Sequence, residues 1–232
     1  MKVEIWSDVV CPWCYIGKRR FEAALEQLEQ KEKVEIEWKS FQLDPTTVTN
    51  TEQTNAQCLS KKYGVSITEA EQMVSNVTQV AAGVGLTYDL EHAVIANTFK
   101  AHRLIHLAKR YNKQDEMKER LLKAYFTEAK NIDDTPTLIA IGAELGIDAD
   151  VTKEVLESDT YSEHVQTDIK EAQQIGVRGV PFFVLNRKYG ISGAQETAVF
   201  KDTLDKAFAE WQADQPQIEV IDGDACTPEK GC

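Results

Sequence analysis

The chain has 232 residues, 42% apolar and 28% charged, enough for one elaborated domain or a domain carrying a large insertion. Its 38 acidic and 26 basic side chains leave a net charge of −12, which argues against nucleic acid or an anionic membrane as a main partner, since both select basic patches. No apolar run is long enough to span a bilayer, and five cysteines are too few and too clustered to staple a small secreted scaffold.

Residues 2–6 read as a strand. Acidic residues interrupt the apolar set of Met1–Asp8, so this stretch is no signal peptide, and a cytoplasmic protein is expected. Cys11-Pro12-Trp13-Cys14 follows at once and opens a helix predicted from about Cys14 to Gln30, with Phe21, Ala24, Leu25 and Leu28 at helical spacing. Val34, Ile36 and Trp38 alternate with charged residues, the period-two pattern of a half-buried strand. The first forty residues are therefore β-α-β, with a right-handed crossover expected between parallel strands.

Residues 44–176 read as six or seven helices. Ser66 to Glu69 and Thr160 to Glu163 each fit a capping box, and Thr135-Pro136 fits an N-cap followed by proline. Gly64, Gly146 and Gly176 fit helix ends. Strand signals return at Phe182–Leu185, with a hairpin connection over 186–190 and a short partner strand at Ile191-Ser192. Phe200, Leu204, Ala207, Phe208 and Trp211 share one face of a last helix, and a polar tail follows. The order is that of an α/β, thioredoxin-like fold with a large α-helical insertion between its βαβ and ββα halves. Residues 1–43 and 177–213 would form the thioredoxin-like domain, 44–176 the insertion, and 214–232 a flexible tail with a cysteine pair.

Cys11 and Cys14 carry the strongest chemical signal. At a helix N-terminus the first cysteine meets unpaired N–H groups and the positive end of the helix dipole, so its pKa is expected to fall. Cys14, one turn in, would be more buried and act second, resolving a mixed disulfide formed by Cys11. Half a zinc site is the competing reading of such a pair. Pro181 stands immediately before an apolar strand, where proline needs a special position. In a thioredoxin-like layout the Val180-Pro181 bond is cis and faces the dithiol, leaving the Val180 backbone to pair with an extended substrate. Cys226 and Cys232 in the tail read as a redox relay, a second disulfide, a metal pair or residues without a role. Cys58 reads as a small, partly buried helix residue. His102 and His106 have the i, i+4 spacing of metal ligands, but no acidic residue completes such a motif, so a packed helix face is favoured and no metal is expected. His102 is also a candidate to line a substrate groove, as is Trp13. Asp8 reads as a turn cap before a proton shuttle.

The chain resembles the DsbA-like branch of the thioredoxin superfamily, and within it the FrnE-like proteins. The resemblance rests on Ser7–Gly17 around the cysteines, Ala101–Leu104, Ala124–Glu128, Gly176–Phe183 and Ile191–Gln195. It implies a thioredoxin fold with a helical insertion and a thiol-disulfide oxidoreductase activity that is often cytoplasmic. FrnE-like proteins often carry a second cysteine pair near the C-terminus, and Cys226 and Cys232 resemble it.

The expected function is thus exchange of disulfides through Cys11 and Cys14, with disulfide- or dithiol-containing proteins or peptides and low-molecular-weight thiols as partners. No bound cofactor is expected, glutathione serving if anything as a redox partner. One alternative is a glutathione-dependent isomerase or transferase of the 2-hydroxychromene-2-carboxylate isomerase or kappa class, relatives in which serine typically replaces the first cysteine. A non-catalytic peptide-binding or zinc-holding module is the other. Nothing in the residues fixes the direction of electron flow.

Overall fold

The computed structural model describes residues 1–215. In chain order the elements are β1 (Lys2–Ser7), α1 (Pro12–Leu25), β2 (Glu35–Ser40), α2 (Asn55–Tyr63), α3 (Ile67–Ala82), α4 (Phe99–Lys109), α5 (Gln114–Phe126), α6 (Thr135–Glu144), α7 (Ala149–Glu157), α8 (Ser162–Gln174), β3 (Phe182–Leu185), β4 (Tyr189–Ser192) and α9 (Thr197–Ala213). The strands form one mixed sheet in the order β2-β1-β3-β4. β1 runs parallel to β2, as a β-α-β crossover requires, and antiparallel to β3, which turns back into β4.

Alternation along β1 and β3 divides the core in two. Val3, Ile5, Phe183 and Leu185 face the larger apolar cluster, where Phe21 of α1 and Phe200 of α9 meet Phe183 at centroid separations of 5.4 and 4.7 Å. Trp6 and Val184 face the other way, onto Ala172 of α8 and Val177. The larger cluster continues into the inserted helices through Leu104, Leu107, Met117, Leu121 and Phe126. Sheet and insertion therefore share one apolar interior.

Three local expectations need correction. α1 begins at Pro12 and ends at Leu25, five residues short of the predicted end. There, Gln27 and Leu28 N–H groups bond to the Ala24 and Leu25 carbonyls, tightening the last turn so the chain can return to β2. Ser66 does form its capping box with Glu69, but Thr160 caps nothing. α8 instead starts after Tyr161, whose backbone is left-handed at φ 67°. Asp134, not Thr135, caps α6, accepting the Thr137 N–H at 2.9 Å. Among the described residues no helix is long and apolar enough to cross a membrane.

Candidate functional site

Cys11 is the N-cap of α1, in extended backbone conformation, with Pro12 as the first helical residue. Proline costs nothing there, because its missing N–H would have had no partner. The Cys14 N–H donates to the Cys11 carbonyl at 3.0 Å, closing the turn and fixing both thiols on one side of the helix start. Both are reduced. Cys11 keeps 4% of its surface exposed and Cys14 none, while Trp13 between them is 44% exposed. The Tyr88 hydroxyl donates to the Pro12 carbonyl at 2.7 Å, and its ring stacks on Tyr15 and Phe126.

The Val180-Pro181 peptide bond is cis. The Val180 carbonyl oxygen lies 3.5 Å from Cys11 Sγ. Two contacts hold this loop. The Pro181 carbonyl accepts the Gly193 N–H at 2.8 Å, and the Pro181 ring packs against Gly17 of α1. A Cβ at Gly17 would stand 2.9 Å from Pro181 Cγ, so the approach of loop to helix depends on glycine there.

Behind the sulfurs lies a buried polar cluster. Asp8 Oδ1 accepts the Val9 N–H at 2.8 Å and His102 Nε2–H at 3.1 Å, and Oδ2 accepts the Leu43 N–H at 2.8 Å. Burial opposes ionisation of Asp8, but the His102 hydrogen bond and charge and the Leu43 N–H outweigh it and hold the carboxyl below its ordinary value. Burial also pulls His102 down, against the pull of its hydrogen bond and charge interaction with Asp8. Lys118 of α5 is 1% exposed, and its Nζ donates to the Ser7 carbonyl at 3.1 Å. Burial drags its pKa down to about 8, with Cys14, Asp8 and Cys11 pulling it back up.

The two sulfurs titrate as a pair. The Cys11 thiol is pushed well above the ordinary value, first by its hydrogen bond to Cys14 and then by burial. Burial opposes ionisation at Cys14 too, yet the hydrogen bond from Cys11, the Lys118 cation and the Ser7 hydroxyl carry it below that value. The sequence puts the lowered pKa on Cys11; in the folded protein the hydrogen bond between the two sulfurs favours the charge on Cys14, and the Lys118 cation adds to it. The outer sulfur keeps the route to solvent.

His102, at 1% exposure, lines no open groove; its ring is spent on Asp8. His106 turns to a different aspartate, Asp168, so the two histidines do not converge. Among the described residues no group of three or more His, Cys, Asp and Glu side chains is arranged to hold a metal ion. Trp13 and Val180 flank the dithiol. Cys226 and Cys232 lie outside the described residues. Lys118 is the cluster residue that motif reading missed. Its spacing of three and four from Leu121 and Leu122 places it on the buried stripe of α5, and that is the signal a sequence offers.

Residues 2–205 match the model of the DSBA-like thioredoxin domain. The chain is similar to uncharacterized protein YwbO of Bacillus subtilis (strain 168), at 29% identity over 212 residues, covering 90% of this chain and 96% of that one. It is similar to the crystal structure of probable DsbA oxidoreductase SCO1869 from Streptomyces coelicolor at 36% identity and a TM-score of 0.85, covering 100% of this chain and 98% of the other. The cytosolic disulfide reductase DsbM from Pseudomonas aeruginosa, solved with GSH, shares the fold at 16% identity and a TM-score of 0.62, covering 93% of this chain and all of that one. A family match spanning nearly the whole length, on a sheet and helix order of this kind, has one reading: the chain belongs to the DSBA-like thioredoxin domain family.

Proposed function

We propose that the protein is a thiol-disulfide oxidoreductase working through Cys11 and Cys14. The observation that carries the reading is the placement of two reduced sulfurs at the start of α1, the outer one 3.5 Å from the Val180 carbonyl of the proline loop. Cys11 Sγ attacks one sulfur of a substrate disulfide, and its proton passes to the Cys14 thiolate. The substrate S–S bond breaks, and its electron pair leaves on the second substrate sulfur. Cys14 gives its proton to that leaving thiolate and attacks Cys11 Sγ. The Cys11–Cys14 bond forms, the mixed disulfide breaks, and the first substrate sulfur takes a proton from water. The protein's pair has then lost two electrons and the substrate has gained them; run in reverse, the steps insert a disulfide.

Disulfide-containing proteins or peptides, flanked by Trp13 and paired with the Val180 backbone, are the proposed substrates, in a cytoplasmic setting. A small thiol such as glutathione closes the cycle, with Cys226 and Cys232 as a second pair in the relay. The test is trapping. Cys14→Ser should accumulate mixed disulfides on Cys11, visible by non-reducing electrophoresis and mass spectrometry, and Cys11→Ser should not. Equal trapping by both variants, or by neither, overturns the reading. A glutathione-dependent activity that survives Cys14→Ser would favour the isomerase or transferase class instead.

A further inference from the structure

Lys118 is a buried lysine without a carboxylate. Among the described residues no Asp or Glu oxygen lies within 4.0 Å of its Nζ. Its neighbour Lys18 on α1 does have such partners, in Asp115 at 3.4 Å and Glu119 at 3.2 Å. Among the described residues its one hydrogen bond goes from Lys118 to the Ser7 carbonyl, and the Lys118 ammonium stands 5.4 Å from the centre of the Trp38 ring. Burying an ammonium against one carbonyl and one ring face is costly unless an anion is close by. Asp8 is near but already accepts two backbone N–H groups and His102. Ser7 tells the same story from the other side. Its hydroxyl is buried without a hydrogen-bond partner among the described residues, on the side of the Cys14 sulfur whose charge it helps to favour.

We propose that Lys118 is a positioning residue of the dithiol: its buried ammonium is the counter-charge for the thiolate of the reduced pair, and thereby sets how readily the pair gives up electrons. The inference rests on the thiol-disulfide reading above. The groups facing Lys118 are Cys11, Cys14 and Lys18 of α1, Asp8 before that helix, and His102 of α4; β2 contributes the uncharged Trp38. His102 is paired with Asp8 and Lys18 with its own acids, so the sulfurs are the charge that changes on oxidation. When the disulfide forms, the thiolate of the pair disappears and the ammonium loses that counter-charge. Lys118 therefore favours the reduced dithiol and makes the protein a stronger oxidant than the helix start alone would. The helical insertion thus supplies a cation to the dithiol, beside the Tyr88 and His102 contacts it already makes there.

The experiment uses the full chain with Cys58, Cys226 and Cys232 replaced by serine, so that only the pair absorbs as thiolate. Lys118→Met should raise the midpoint of thiolate absorbance by about one pH unit or more, the effect of losing an opposite charge at close range. The equilibrium with reduced and oxidised glutathione should move about tenfold toward the disulfide, and Lys118→Arg should restore most of both. A folded Lys118→Met protein with unchanged titration and unchanged glutathione equilibrium overturns the proposal. Should that variant fail to fold, nitrogen NMR of Lys118 in the unsubstituted lysine protein decides instead. Its ionisation should differ between dithiol and disulfide forms, and identical titration in both overturns the proposal. A protein whose pair never exchanges with glutathione sinks the oxidoreductase reading, while the titration arm still reports on Lys118.

Discussion

His102 and His106 stand one turn apart on α4, and each is bonded to a buried aspartate at 3.1 Å, but the two pairs sit in different surroundings. His102–Asp8 is sealed behind the dithiol. His106–Asp168 lies at the edge of a cleft lined by Lys39, Lys109, Arg110, Tyr161 and His164. Asp168 accepts the Ser40 N–H at 2.8 Å and faces the Lys39 ammonium at 3.2 Å, while its carbonyl accepts the Trp6 indole N–H at 2.9 Å. It ties α8 to the sheet. Asp8 ties β1 to the segment leading out of β2 and carries its charge next to the sulfurs. One side-chain pairing thus serves as a clasp where water reaches it and as part of an electrostatic setting where water does not.

Replacing the aspartates separates the two cases most strongly. Asp8→Ala leaves two backbone N–H groups and an imidazole without an acceptor in a dry site, and should cost about 3–5 kcal/mol. Asp168→Ala should cost about 1–3 kcal/mol, because its partners border a cleft that water can enter. Urea unfolding of both variants measures the difference, and equal losses would break the comparison.

The sealed pair should also leave a mark on the pH profile. His102 is held below its ordinary pKa in the folded protein, so between about pH 6.5 and that lower value the unfolded chain binds a proton that the folded one does not. Stability therefore falls as pH drops through that window. His102→Gln should flatten the slope there, and a slope left intact would mean another group drives it. Asp8, also lowered, contributes stability above the ordinary carboxylate range that is lost only as pH falls further, through its folded value.

The smallest effect belongs to the open pair. Ser40 Oγ lies 3.1 Å from His106 Nε2. Ser40→Ala should lower stability by about 0.5–1.5 kcal/mol, read as a modest drop in Tm. A larger loss would show the cleft side to be as tightly set as the dithiol side.

What the sequence disclosed follows the same division. Cys11, Cys14 and the strand-helix turn around them were readable because the signal is local, and Pro181 became readable once that turn suggested a partner loop. Lys118, Asp8 and Asp168 were harder, because a charged residue on a helix or turn defaults to solvent. Only long-range packing makes each of them an interior group. Asp168 does share a stripe with Val165 and Ala172, so its burial left a faint periodic trace. α4 offered none, since residues 101–108 are buried on every side and periodicity carries no direction there. The capping errors at Thr135 and Thr160 have a similar cause: several small polar residues in a row offer rival starts, and tertiary position chooses among them.

The contact of Gly17 with Pro181 joins two parts of the chain that are made at very different times. While the ribosome is still extending the inserted helices, Cys11 and Cys14 have already emerged, but neither Lys118 nor the proline loop is there to tell them apart. The assembled site, with the proline loop seated on α1 and Lys118 behind the sulfurs, therefore exists only once the whole length through residue 193 has been made and folded.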